Sequence, residues 1–185
     1  MKILSVDFGT SSVKMAVLNE KEEILAETKV EYAYEVIDRL KIQIDPEIVY
    51  SAFLKGLAAF QSHLKEIELL VPCVFAPVFI PMDKEGNALH PAIIHLDRRS
   101  YPQSRFALKV VGKKTFLEIS GNLPFAGGIS CTSMLWYKDN CPELYARTYK
   151  LGHMNTFLQR RLAGKWLIDP SNASFTGLYE TRKMG

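Results

Sequence analysis

The alternation of apolar and polar segments at the start of the chain indicates three short strands joined by tight turns. An apolar run over residues 3–6 ends at Asp7, and the small-residue segment 9–12 follows it. Residues 13–18 form a second apolar run, and residues 24–30 form a third beyond a polar turn. Short apolar runs bounded by turn residues are typical of strands that pair with their neighbours in sequence. We therefore expect an opening antiparallel three-strand meander.

A helical pattern follows this meander. Asp45 suits an N-cap and Pro46 suits the first helical position. Apolar residues then recur every three or four positions, which predicts one buried helical face. They are Val49, Phe53, Leu57, Phe60, Leu64 and Ile67. Further strands are predicted over 69–75, 78–82 and 92–95, and the second half reads as mostly helical. With no linker or repeat in the sequence, the pattern predicts a single α/β domain over residues 1–185.

Composition narrows the class of partner. The 185 residues carry 23 basic and 20 acidic side chains, and this small excess gives no case for a nucleic-acid or membrane partner. The three cysteines form no C-x-x-C pair, which fits a reducing compartment better than a disulfide framework or a zinc site. The opening apolar run is too short for a signal peptide or a membrane span, so a cytoplasmic location is expected.

The turn between the first two strands carries the most informative chemistry. Its candidate ligand-binding residues are Asp7, Gly9, Thr10, Ser11, Ser12 and Lys14. A carboxylate at the end of a buried strand is costly unless it serves a ligand, and a hydrated Mg²⁺ ion is one such ligand. Glycine allows a sharp turn, hydroxyls and N–H groups donate to phosphate oxygens, and the lysine extends toward the same phosphates. A self-satisfied polar hairpin is the alternative interpretation.

Residues 7–19, read as DFGTSSVKMAVLN, resemble the first phosphate motif of the superfamily that contains actin, Hsp70 and the sugar kinases. Later segments resemble the FGGY carbohydrate kinases, which include glycerol kinase and xylulokinase, in the order expected for that family. QIDP at 43–46 and DKEGNALHPAIIHLDRR at 83–99 are the longest of these, and DPSNAS at 169–174 is the last. The resemblance covers nearly the whole chain.

This resemblance implies a ribonuclease H-like fold, with a mixed sheet opened by the meander and helices on both faces. It also implies ATP and Mg²⁺ as cofactors and a sugar or polyol hydroxyl as the phosphoryl acceptor. Asp7 is assigned to the metal, and the hydroxyl turn with Lys14 to the phosphates. Asp97 and Arg98 lie in the stretch that approaches the sugar. For Asp97, a structural ion pair or a helix cap is an equally open interpretation.

Three candidate substrate positions depart from the family pattern. Phe75 and Pro77 stand where relatives carry Gln and His, and His95 replaces the usual Trp. The first two substitutions remove donors that would grip sugar hydroxyls. Since a polyhydroxylated substrate needs paired polar groups, the pocket is expected to differ from that of a standard pentulose or glycerol kinase.

The resemblance also implies that the chain is incomplete for catalysis. The family's catalytic Asp and adenosine site belong to a C-terminal domain beyond residue 185, so no catalytic residue is assigned here. The expected partner is that domain or a separate chain supplying it. Two other functions stay open: a non-catalytic binding or assembly module, including self-association, and a ribonuclease H-type nuclease. The nuclease would need Asp97 or Asp169 close to Asp7 to hold two metal ions.

Overall fold

The opening strands alternate buried and exposed side chains, and they pair as the sequence predicts. The computed structural model describes residues 1–183 of the chain. Its strands are β1 (Lys2–Phe8), β2 (Ser12–Leu18), β3 (Ile24–Glu31), β4 (Glu35–Val36), β5 (Ile42–Ile44), β6 (Ile67–Val74), β7 (Val78–Met82), β8 (Ala92–Ile94) and β9 (Lys150–Gly152). Its helices are α1 (Pro46–Leu57), α2 (Tyr101–Val111), α3 (Lys113–Ser120), α4 (Ser130–Asn140), α5 (Pro142–Arg147), α6 (Met154–Ala163) and α7 (Pro170–Ser174).

The chain divides into two compact units, each with its own sheet. The first unit comprises residues 1–34 and 45–75, and the second comprises residues 35–44 and 76–185. In the first unit the strand order is β3-β2-β1-β6, in which β6 runs parallel to β1 and the other pairs are antiparallel. The predicted meander and mixed sheet are therefore confirmed.

Helix α1 covers one face of the first sheet. Asp45 caps it by accepting a hydrogen bond from the Glu47 amide at 2.9 Å, and Pro46 occupies the first turn, as predicted. The α-helix is shorter than the apolar periodicity suggested, because it ends at Leu57. Two short 3₁₀ turns follow, Leu64 is exposed, and Ile67 already begins β6. The three- and four-residue spacing of apolar side chains thus continues by coincidence from the α-helix through the 3₁₀ turns into β6.

The two faces of the first sheet differ in exposure. Leu4, Val6 and Phe8 of β1 are almost fully buried, whereas Ser5 and Asp7 between them are exposed. Such alternation follows from the two-residue period of a strand. The exposed face continues onto β6, where the outward-pointing apolar side chains are Leu69 and Val71.

The second unit is built on an antiparallel sheet with the order β4-β5-β8-β7-β9. All five residues of β7 are buried, in keeping with its place inside that sheet. Phe79 of β7 and Ile93 of β8 pack with Tyr137 of α4 in one apolar cluster. A second cluster joins α2, α3 and α4 through residues that include Ala107 and Phe116. Within residues 1–183, no helix combines the length and apolar character needed to cross a membrane.

Candidate functional site

The β1–β2 hairpin places the predicted phosphate-binding residues in one short turn. Asp7 and Lys14 are directly opposite each other in the strand register, and the turn closes through a hydrogen bond from the Gly9 amide to the Ser12 carbonyl, at 2.9 Å. A Cβ atom added at Gly9 would lie 3.2 Å from that carbonyl oxygen. The hairpin therefore favours a residue without a side chain at this point.

The Gly9 and Ser11 carbonyls of this turn accept hydrogen bonds from the protein, whereas the amides of Thr10 and Ser11 find no acceptor among residues 1–183. Tyr32 donates from its hydroxyl to the Gly9 carbonyl at 2.6 Å and from its amide to the Ser11 carbonyl at 3.0 Å. Within residues 1–183, the amides and hydroxyls of Thr10 and Ser11 donate no hydrogen bond. Successive free N–H groups in a turn form a concavity that suits an anion. The alternative interpretation, in which the polar groups of the hairpin bond only to one another, therefore does not hold for these donors.

Tyr32 is held in its neutral form beside this turn. Burial raises the pKa of the Tyr32 hydroxyl, and the negative charge of Asp7 raises it further. The hydroxyl therefore remains a donor to the Gly9 carbonyl at all ordinary pH values.

Asp7 is exposed, which corrects the argument that its carboxylate is desolvated at the end of a buried strand. It lies on the open face of β1, and its side chain is 51% exposed. The Lys14 ammonium lies 3.9 Å from its Oδ2 atom and is also exposed. Both side chains line a groove of about 400 Å³ across β1, β2 and β3, which Glu27 and Lys29 also line. The argument for a ligand now depends on this groove and on the free donors of the turn, rather than on burial.

The candidate substrate residues fall in both units. Phe75 is half-buried in the first unit, and its amide donates to the Phe8 carbonyl at 2.9 Å. Pro77 is buried in the second unit, one residue before β7. His95, Asp97 and Arg98 follow β8 in that second unit. Of the predicted substrate residues, the structure brings these last three together.

Asp97 is fully buried, and its carboxylate is saturated by protein donors. Its Oδ2 atom accepts from the Ile42 amide at 2.7 Å and from Arg99 Nε at 2.8 Å. Its Oδ1 atom accepts from the Arg99 amide at 2.8 Å. Asp97 has no exposed surface. These contacts therefore support a structural ion pair for Asp97 rather than direct binding of the sugar.

Arg99, which was not among the predicted site residues, completes this buried network. Its Nη2 atom donates to Gln43 Oε1 at 3.0 Å, and its guanidinium carbon lies 4.9 Å from the centre of the Trp136 ring. Gln43 in turn donates to Glu35 at 3.0 Å. The network therefore ties β4 and β5 to the end of β8. Two adjacent arginines after an aspartate gave no indication of which one would pair.

The Arg98 side chain, unlike that of Arg99, donates to backbone carbonyls rather than to side chains in the part of the chain that the structure describes. Its Nη1 atom donates to the carbonyls of His95 at 2.7 Å, Asp97 at 2.8 Å and Ala126 at 3.1 Å. Gly127 has a φ of +74°, and a Cβ atom there would overlap the Asp97 carbonyl and crowd Nη1. The glycine thus allows the 121–129 segment to approach the Arg98 side chain closely.

His95 is half-buried, and its Nδ1 atom is buried without a hydrogen-bond partner among residues 1–183. Burial lowers the pKa of His95, and the positive charge of Arg98 lowers it further. At neutral pH the ring is therefore uncharged and has one ring nitrogen available as an acceptor.

A second buried polar network joins α4, α6 and α7. Ser130 Oγ lies 2.7 Å from His153 Nε2, and His153 Nδ1 lies 3.1 Å from Asn172 Oδ1. Asn172 donates from its side chain to Asp169 at 2.8 Å. Burial lowers the pKa of His153 to about 4, so the imidazole is neutral. The amides of Ser130 and Cys131, in the first turn of α4, donate to the carbonyls of Phe175 and Thr176.

The carboxylates proposed for a nuclease are both committed to internal contacts. Asp97 is saturated as described above. Asp169 caps α7 by accepting from the Asn172 amide at 2.8 Å, and it also accepts from Asn155 at 2.6 Å. Within residues 1–183, no three His, Cys, Asp or Glu side chains are grouped to hold a metal ion. Neither carboxylate therefore supports the nuclease interpretation.

Comparison with known proteins agrees with this fold. Residues 2–184 match the family described as FGGY family of carbohydrate kinases, N-terminal domain. The chain therefore belongs to the FGGY family of carbohydrate kinases and corresponds to its N-terminal domain. The predicted family and the ribonuclease H-like fold are both confirmed.

Similar sequences include a xylulose kinase and a glycerol kinase. A xylulose kinase of Staphylococcus xylosus is 25% identical over 182 residues, covering 97% of this chain and 38% of that protein. A glycerol kinase of Thermococcus onnurineus is 27% identical over 190 residues, covering 98% of this chain and 38% of that protein. The chain thus spans well under half the length of these relatives.

Solved structures of carbohydrate kinases have a backbone fold similar to that of this chain. The xylulose kinase from Rhodospirillum rubrum superposes with a TM-score of 0.90 at 15% identity, covering 99% of this chain and 39% of that one. The Plasmodium falciparum glycerol kinase, solved with ADP, also gives a TM-score of 0.90, at 21% identity, covering 100% of this chain and 38% of that one. At these identities the likeness establishes the fold.

Proposed function

We propose that this chain is the phosphate-binding and sugar-facing part of an ATP-dependent carbohydrate kinase, which transfers the γ-phosphoryl group of ATP to a sugar or polyol hydroxyl. The observation that carries the proposal is the β1–β2 turn, where the donors of Thr10 and Ser11 are free beside the exposed Asp7 carboxylate. Family membership supports the nucleotide, as does the structurally similar glycerol kinase that was solved with ADP.

The residues of the turn fit a magnesium-nucleotide complex. Mg²⁺ keeps most of its waters and takes one or two carboxylates together with phosphate oxygens. Asp7 supplies one accessible carboxylate, and no protein donor other than the exposed Lys14 approaches it within residues 1–183. When bound, the ion would neutralise charge that develops on the transferring phosphoryl group. Lys14 and the turn amides would hold phosphate oxygens.

Phosphoryl transfer depends on positioning and on electrostatic stabilisation. In this proposal the turn orients the phosphates, and the base that accepts the hydroxyl proton belongs to the part of the relatives that this chain does not span. Binding of ATP by the present chain is therefore expected to be weak, and phosphoryl transfer requires the remaining domain.

The proposal is tested by titrating the chain with MgATP while its backbone amides are followed by ¹H–¹⁵N NMR. The amides of Thr10 and Ser11 should shift the most, and Asp7→Asn should weaken the Mg²⁺-dependent part of the response about tenfold. Glu27→Gln is a matched control, because Glu27 lines the same groove away from the turn. An unchanged spectrum at millimolar MgATP, or equal effects of the two variants, would contradict the proposal.

A non-catalytic assembly role is the second candidate, and the edge strand β6 favours it. Leu69 and Val71 on this strand are 47% and 46% exposed, and β6 lacks a partner on its outer side within residues 1–183. Exposed apolar surface favours association. Light scattering discriminates: an association that Leu69→Lys abolishes supports this role, whereas a monomer at high concentration counts against it.

A further inference from the structure

An apolar groove of about 370 Å³ lies in the second unit, and its lining residues differ from those assigned to phosphate or sugar. Helices α2 and α4 pack against each other and supply most of this lining. Phe106 and Val110 of α2, which border the groove, are 57% and 65% exposed. Contiguous exposed apolar surface marks interaction or ligand-binding sites. The volume is near the lower end of the range of about 300–1,000 Å³ for ligand pockets, so the groove suits a small ligand.

The floor of the groove is already packed. It includes members of the buried apolar cluster that joins α2, α3 and α4. The Cys131 amide donates to the Thr176 carbonyl at 2.9 Å, which ties the segment before the groove rim to α4. Gly177 has a φ of +72°, and a Cβ atom there would lie 2.5 Å from Ile129 Cγ2. The glycine therefore lets the chain pass close to the cluster and brings Leu178 to the rim.

Lys138 provides the only charge on the groove lining among residues 1–183. It follows Cys131 by about two helical turns, so both residues lie on the same side of α4. Lys138 is exposed, and no carboxylate of residues 1–183 pairs with it. The adjacent Asp139 instead accepts from Gln103 at 3.0 Å. Burial raises the pKa of the Cys131 thiol to about 11, so the floor carries no negative charge at neutral pH.

An apolar groove with one cation on its lining is complementary to an amphiphile with one anionic group. A carboxylate carries a single negative charge, which Lys138 can balance. A phosphate monoester carries close to two charges at neutral pH, so part of its charge would stay uncompensated beside apolar surface. A cationic amphiphile would be repelled by the same lysine.

We propose that this groove binds a small amphiphilic monocarboxylate, such as a medium-chain fatty acid, with its tail against α2 and α4 and its carboxylate at Lys138. The inference goes beyond the proposed function and does not depend on it. The residues that carry it belong to the second unit, whereas the phosphate turn belongs to the first.

The test titrates the chain with octanoate, 1-octanol and octylammonium, which share one tail and differ in the head group. The ¹³C-methyl resonance of Met134, which lines the groove, is followed by NMR and is identified by its loss in Met134→Leu. Octanoate should bind about fivefold more tightly than 1-octanol, and octylammonium should bind most weakly. Met15, which is buried in the first unit, is the internal reference and should not shift.

Two lysine variants separate a specific contact from the overall charge of the protein. Lys138→Met keeps an apolar stem but removes the cation, so octanoate affinity should fall to about that of 1-octanol while 1-octanol binding stays unchanged. Lys109→Met is the matched control, because Lys109 is an exposed residue of α2 outside the groove lining. It removes the same charge and should leave octanoate binding unchanged. Thermal melts within a few degrees of wild type show that both variants are folded.

Three results would overturn the inference. The first is equal binding of the three ligands, which would mean that the groove does not select for a carboxylate. The second is equal octanoate binding by wild type and Lys138→Met. The third is a dimer in light scattering that Val110→Glu dissociates, together with no shift of Met134 by octanoate. That result would assign the groove to a second copy of this chain.

Discussion

The two carboxylates that the sequence placed at the candidate site, Asp7 and Asp97, have opposite environments. Asp7 is half exposed and has only a loose contact, at 3.9 Å, with an exposed lysine. Asp97 has no exposed surface and accepts three hydrogen bonds from the Ile42 amide and Arg99. A carboxylate with free lone pairs is available to a metal ion or a ligand, whereas a saturated one holds the protein together. The exposure and hydrogen bonds of an aspartate therefore distinguish a ligand-binding role from a structural role, whereas its residue type does not.

The sharpest test of this contrast is to neutralise each carboxylate. Asp97→Asn should lower the free energy of unfolding by about 3 kcal/mol or more, because it leaves the buried Arg99 guanidinium without its counter-charge. Asp7→Asn should change it by about 0.5 kcal/mol or less, because an exposed side chain loses little. Urea denaturation followed by circular dichroism measures both. Comparable losses for the two variants would show that Asp97 is not the structural member of the pair.

The buried histidine network of the second unit predicts a dependence on pH. His153 has a folded pKa of about 4, below the ordinary value near 6.5, so the unfolded state binds the proton more readily. Its contribution is complete above about pH 6.5 and is lost as the pH falls toward 4, by about 3 kcal/mol in all. Urea denaturation at a series of pH values between 7.5 and 4.5 measures this loss.

The His153 contribution is isolated by subtraction, since several carboxylates also titrate in acid. His153→Gln should have a lower stability at pH 7.5 but a flatter pH dependence than wild type. Parallel curves for wild type and His153→Gln would rule out the buried neutral imidazole as the source.

The contact between Gly127 and the Arg98 carbonyl cluster predicts a smaller loss. Gly127→Ala should destabilise the protein by about 2 kcal/mol, because φ is +74° and the new Cβ would overlap the Asp97 carbonyl. Gly164→Ala is the matched control, since its φ is +67° and, apart from the adjacent backbone, no atom of residues 1–183 lies within 4 Å of the added Cβ. The control should lose about 1 kcal/mol from backbone strain alone. Equal losses in thermal or urea denaturation would mean that crowding at Gly127 is relieved without cost.

Local sequence patterns were sufficient to predict those parts of the fold in which the interacting residues are close in the chain. The meander follows from alternation and turn residues, and the Asp45 cap follows from the Asp-Pro pair at the start of α1. The end of α1 did not follow, because apolar spacing continued through a 3₁₀ segment into β6. Periodic apolar residues indicate that one side of a segment is buried, but they do not show whether its backbone is helical throughout.

The environment of the candidate site depended on contacts that are distant in sequence. Asp97 is saturated by an amide 55 residues away, and Arg98 is held by a carbonyl 28 residues away. No short motif encodes such pairings. The position of Asp7 on the uncovered face also required the sheet, because strand alternation alone does not tell which face is covered.

The smallest expected effect concerns the ion pair at the turn itself. The Lys14–Asp7 contact joins two exposed side chains, so it should contribute less than about 0.5 kcal/mol to folding. A double-mutant cycle with Lys14→Met and Asp7→Asn, measured by urea denaturation, gives their coupling. A coupling above about 1 kcal/mol would make Lys14 and Asp7 a structural pair and weaken their assignment to phosphate and metal. A negligible coupling, combined with reduced MgATP binding in each single variant, would mean that these charges act on the nucleotide rather than on the fold.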